Sequence, residues 1–168
     1  MFTPVLPADR TVTEARGAQI PVAALLYEGE LRRTAQVDYG ISLDDLISGK
    51  AKPPASGARI DIHFEGKLNG PKLKGYLTGV DYLVVRADGR SDLDMHACIT
   101  TDDGARIAFW SGGIFVPPTD GSGIAQIREN VRLTTADPRY QWVNQIQVWI
   151  TGTIELAKEA IHVRAFIA

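Results

Sequence analysis

Apolar and polar side chains alternate with a period of two along most of this chain, and helix-period patterns are scarce. Strand-like runs fall at residues 20–31, 58–66, 72–79, 80–87, 92–100, 105–112, 125–135, 141–156 and 160–168, separated by short turn signals. Asp88-Gly89 and Asp103-Gly104 each supply the residue pair favoured in primed hairpin turns. Such a succession predicts an antiparallel meander of about eight or nine strands, which must close or stack on itself to hide its edges. The expected fold is therefore all-β: a single closed antiparallel eight- or nine-stranded barrel domain over residues 1–168.

Two segments depart from the alternation. Ser42 is placed to cap a short helix, with Asp45 three positions on and Gly49 as a stop, so a helical insertion is expected near residues 42–48. Residues 111–125 are glycine-rich and long for a hairpin connection, which predicts a loop able to act as a lid or binding loop.

The chain has 168 residues, 45% of them hydrophobic and 23% charged, enough to bury the core of a soluble globular domain. A net charge of -2 creates no field that would gather phosphate backbones or anionic lipid, so neither nucleic acid nor membrane is an expected partner. Cys98 is the single cysteine, which excludes an intrachain disulfide, and no Cys/His spacing matches a zinc site. There is no basic leader followed by an apolar run and no stretch of about 20 apolar residues, so the expectation is a soluble cytoplasmic protein.

Several short motifs occur in a fixed order: Gly70-Pro71 with Leu73 and Gly75; Gly79, Asp81 and Tyr82; Leu93-Asp94; Asp102 to Ala105; and Tyr140, Trp142 and Asn144. In that order the sequence resembles the DUF3237 (UPF0311) family over residues 57–168. The resemblance implies a lipocalin-like or calycin-like closed barrel and assigns no chemistry. Three positions depart from the family pattern: His96 stands where an arginine is expected, Glu65 replaces a glycine, and Tyr82 replaces a tryptophan.

The candidate chemistry depends on which way the strand at 92–100 faces. Asp92, Asp94, His96, Cys98 and Thr100 lie on one side, and Leu93, Met95, Ala97 and Ile99 on the other. With the polar side inward, His96 serves as general base or acid and Asp94 orients it. With the polar side outward, the same residues are simply a wetted wall. Asp81 is the other candidate catalytic group, because a carboxylate in the run Tyr82 to Val85 either accepts turn amides or sits in a pocket with a raised pKa.

Tyr82, Trp110, Tyr140, Trp142, Asn144 and His63 are the candidate substrate-binding residues. On the run 141–156, Trp142, Asn144, Ile146, Val148 and Ile150 share the more apolar face, which would carry Asn144 inward to meet a ligand oxygen. His63 and His96 with nearby carboxylates match no tight metal motif, so no metal is expected. Nucleophile-elbow, phosphate-loop and dinucleotide signatures are absent, and no cofactor is expected.

These features suggest a cofactor-independent enzyme, an isomerase, lyase, hydratase or cyclase, moving protons on a small, partly apolar organic molecule inside the barrel. The competing expectation is a barrel that binds such a molecule unchanged. A third is a self-filled barrel acting through its surface, with exposed strands and aromatic side chains offering a homodimer contact.

Overall fold

The computed structural model describes residues 24–167. Eight strands follow one another: β1 (Ala24–Asp38), β2 (Ala58–Asn69), β3 (Gly75–Val85), β4 (Ser91–Thr101), β5 (Arg106–Val116), β6 (Ile124–Thr134), β7 (Val148–Glu155) and β8 (Ala160–Ile167). Each pairs with its sequence neighbours and β8 returns to β1, closing the barrel. An even strand number allows every pairing to be antiparallel, and all eight are. Closure leaves no unpaired edge among these strands.

The short helix α1 (Leu43–Ile47) lies between β1 and β2, with the Ser42 hydroxyl accepting from the Asp45 amide at 3.1 Å and Gly49 beyond its end at φ 73°. This is the insertion the capping pattern predicts. No described helix is long and apolar enough to cross a membrane.

The structure corrects four details of the sequence reading. The runs 72–79 and 80–87 are one strand, β3, because Gly79 is not a break: a Cβ there would lie 2.4 Å from the Ala97 Cβ, so glycine lets β4 approach. At both Asp-Gly pairs only the glycine has positive φ, 88° at Gly89 and 86° at Gly104. These are type I turns followed by a left-handed glycine, not primed turns. The expected loop at 111–125 is mostly strand, with Ser111 to Val116 in β5 and only 117–123 left between β5 and β6. Finally, Gln141–Gln145 forms a 3-10 turn before β7 begins at Val148. Residues 20–23 of the first expected strand lie outside the described residues, and β1 instead continues to Asp38.

The two ends of the barrel differ. At the end holding the β2–β3 and β4–β5 turns and the 3-10 turn, Leu26, Leu68, Leu73, Ile99, Ile107, Val131, Val143 and Val148 are fully buried. Val143, carried by the 3-10 turn, plugs this end. Towards the α1 end the inward side chains Leu31, Ile62, Val85, Phe115, Ile154 and Ile161 are only partly buried. The barrel is packed solid at one end and looser at the other.

Candidate functional site

A cavity of about 90 Å³ occupies the middle of the barrel. Its walls are almost wholly apolar, with Leu31, Phe64, Met95, Phe109, Ile150 and Ile161 among them. Three polar side chains interrupt them: Tyr27 from β1, Asp81 from β3 and Glu129 from β6. Alternation explains how they arrive there. Asp81 shares its strand face with Leu77 and Leu83, and Glu129 shares its face with Ala125, Ile127, Val131 and Leu133, all buried.

Each carboxyl is held by one protein donor. The Asp94 backbone N–H donates to Asp81 Oδ1 at 3.0 Å, across a stretch where Tyr82 and Leu83 do not pair with β4. The Ser111 hydroxyl, itself fully buried, donates to Glu129 Oε2 at 2.8 Å. Gly113, paired with Glu129 across the ladder, leaves room for this side chain, since a Cβ there would lie 3.0 Å from the Glu129 Cγ.

Burial is the main influence on both acids. It pushes Asp81 from 3.8 up to about 7, against the opposing pull of the Asp94 amide and with help from the charges of Asp94 and Asp61. Glu129 rises from 4.5 to about 7, again chiefly through burial, with the Ser111 hydrogen bond opposing and the Asp81 charge adding to the rise. The Tyr27 phenol is driven well above its ordinary value by complete burial and by the Glu129 charge. Its hydroxyl has no hydrogen-bond partner among the described residues. Near neutral pH the cavity therefore holds two carboxyl groups poised between acid and base, and one neutral phenol.

Of the residues singled out from sequence, Asp81 alone lies in this cavity. The strand 92–100 faces the other way from what a catalytic Asp94–His96 pair inside the barrel requires. Leu93, Met95 and Ile99 point inward, while the side chains of Asp94 and His96 are 52% and 58% exposed. The reason is ordinary alternation: the apolar set fills the core and the polar set meets water. These residues do come together, but on the outer wall. Asp94 Oδ1 accepts from Trp110 Nε1 at 3.0 Å and lies 3.4 Å from His96 Nε2, Tyr82 meets the His96 ring edge-on, and Arg132 lies over Trp110 at 4.1 Å. His63 is on the outward face of β2 opposite Val80.

The expected inward face of residues 141–150 holds at Val148 and Ile150, which are buried in the core, with Trp142 and Ile146 packed against it, but not at Asn144, because a 3-10 turn does not alternate as a strand does. Asn144 there receives the Thr135 N–H and donates to the Thr135 carbonyl, both at 2.8 Å, so its amide anchors the plug. Tyr140 donates to Asp103 at 3.0 Å and, with Trp142, packs against the closed end of the core. Among the described residues no group of three His, Cys, Asp or Glu side chains is arranged to hold a metal ion.

The sequence reading missed Glu129, Ser111 and Tyr27. The signal for Glu129 is present in "AQIRENVRLTT": it is the one charged residue in the otherwise apolar register Ala125, Ile127, Val131, Leu133. Ser111 breaks the register Ile107, Phe109, Gly113, Phe115 in the same way.

Residues 41–166 match the family described as "Protein of unknown function (DUF3237)". The chain belongs to the DUF3237 family. The match begins before residue 57 and takes in α1 and the loop after it. Among solved structures, the chain is similar to a beta-barrel like protein from Acinetobacter baumannii AYE (20% identity, 87% of this chain and 94% of that chain, TM-score 0.71). A protein from Clostridium acetobutylicum ATCC 824 is similar at 20% identity, over 88% of this chain and 99% of that chain, TM-score 0.71. An enzyme from Penicillium herquei is similar at 21% identity, over 90% of this chain and 99% of that chain, TM-score 0.55. At these identities the likeness is one of fold. No curated protein matches the chain.

Proposed function

We propose that this DUF3237 barrel is a cofactor-independent enzyme that moves protons on a small, partly apolar organic molecule held in the central cavity, with Asp81 and Glu129 as the working acid and base. The observation that carries this reading is the pair of buried carboxyl groups in an apolar cavity with no Lys, Arg or His among its described lining residues. Burying two such groups costs stability, a cost that a catalytic role accounts for. With the charge of one raising the other, the singly protonated pair combines a carboxylate that accepts a proton with a carboxylic acid that donates one.

In the step this supports, the ionised carboxyl takes a proton from a carbon next to an electron-withdrawing group. The C–H bonding pair moves into the substrate, and the protonated carboxyl returns a proton at the same or another position. Reprotonation elsewhere is an isomerisation; loss of a leaving group in its place is a lyase reaction. The likeness in fold to the Penicillium herquei enzyme is compatible with catalysis and does not identify the reaction.

A binding protein that leaves its ligand unchanged is the second reading, favoured by the small volume and apolar walls. The two are separated by incubating the protein with small carbonyl compounds in D2O and following deuterium entry by mass spectrometry. Catalysed exchange that falls by about 10²–10⁴-fold in Asp81→Asn or Glu129→Gln supports the enzyme. Saturable binding of several compounds with no exchange of any supports the binder.

A further inference from the structure

The proton-transfer reading gives the Tyr27 hydroxyl no task. It is fully buried on the cavity wall with no partner among the described residues, although a buried unpaired hydroxyl is costly. The neighbouring carboxyls do not relieve it: neither bonds to its oxygen, Glu129 engaging the Ser111 hydroxyl and Asp81 the Asp94 amide. An unpaired hydroxyl on the wall of an apolar cavity, closed off from water, is satisfied only by an acceptor on whatever the cavity takes in.

The surroundings restrict what that acceptor belongs to. With two carboxyls and no cation among the described lining residues, a carboxylate or phosphate ligand would meet like charge in a low-dielectric space. A pure hydrocarbon would fill the walls and leave the phenol unpaired. We propose that Tyr27 donates its phenolic hydrogen to the carbonyl oxygen of a compact, uncharged ketone or enone, and that the cavity selects such compounds over acids and hydrocarbons of the same shape. This rests on the site assigned above, and it supplies what proton removal needs. As the α C–H bond breaks and its proton passes to a carboxylate, the bonding pair forms a C=C bond and the carbonyl π pair moves onto oxygen. There Tyr27 meets the growing negative charge.

Cyclopentanone is a suitable probe, being compact, uncharged and enolisable. The full-length protein would be titrated with carbonyl-labelled [¹³C]cyclopentanone, methylcyclopentane and, at pH 8, cyclopentanecarboxylate. The expected result is saturable binding of the ketone, with its bound carbonyl ¹³C resonance downfield of that in the Tyr27→Phe complex, and binding of the other two at least about tenfold weaker. In Tyr27→Phe ketone affinity also drops by about tenfold. The ligand series on the unaltered protein tests selectivity even if that variant does not fold.

Equal or tighter binding of the acid or hydrocarbon, no binding of the ketone, or a carbonyl resonance unchanged in Tyr27→Phe overturns the inference. α-Deuteration in the same samples reports separately on the proton-transfer reading. A Tyr27-dependent shift without exchange refutes catalysis on this probe and supports the hydrogen bond. Exchange with a shift indifferent to Tyr27 does the reverse.

Discussion

Ser111 and Glu129 meet diagonally across the β5–β6 ladder inside the barrel, the serine hydroxyl donating to Glu129 Oε2 at 2.8 Å with both side chains buried. The bond is strongest when Glu129 is ionised, so it holds down a pKa that burial otherwise raises. In Ser111→Ala, Glu129 should titrate above about 7, visible in the carboxyl ¹³C shift of labelled glutamate. The substitution should also cost about 1–3 kcal/mol at pH 8 and less at pH 5, measured by urea denaturation. A Glu129 titration unchanged by the substitution would remove the serine from this role.

Asp81 makes the protein less stable as pH rises. Its carboxyl titrates at 3.8 when unfolded and about 7 when folded, so between these values the folded chain holds the extra proton and stability falls with increasing pH. Glu129, raised from 4.5 to about 7, acts in the same direction. Comparing chemical denaturation at pH 5 and pH 8, Asp81→Asn should lose less stability than the unaltered protein, by a few kcal/mol. An identical pH dependence in both would mean that Asp81 is not in a low-dielectric site.

Residues on the outer wall should be dispensable for chemistry inside. Asp94→Asn and His96→Ala are expected to leave cavity-based turnover within about twofold, against the 10²–10⁴-fold loss, roughly, in Asp81→Asn. The backbone N–H of residue 94, which holds Asp81, survives the first substitution. Removing the Asp94 charge should also lower the Asp81 pKa, because that charge contributes to its rise. Loss of turnover in His96→Ala by orders of magnitude would return the site to the outer wall.

Asn144 should matter for stability rather than turnover. Its amide makes two 2.8 Å hydrogen bonds to the backbone of Thr135, fixing the 3-10 turn whose Val143 fills the closed end. Asn144→Ala should cost about 1–3 kcal/mol in urea denaturation. Asn144→Asp should recover only part of this, since an ionised carboxylate accepts from the Thr135 N–H but cannot donate to its carbonyl.

Much of the barrel was readable in the chain. Period-two alternation, short turns and the Ser42 cap predict a closed antiparallel barrel with one small helix, because strand geometry forces alternate side chains to opposite faces. Asp81 was legible as a carboxylate out of place among apolar neighbours, and Glu129 was equally so in its own strand. Only the tertiary structure decided that these two, from β3 and β6, share one cavity with Tyr27 from β1, because closure of the barrel sets which strands look across at one another. It also decided that "DLDMHACIT" turns its polar side to water. Local alternation offers two faces with no label, and the label comes from the apolar side chains of seven other strands needing the inside.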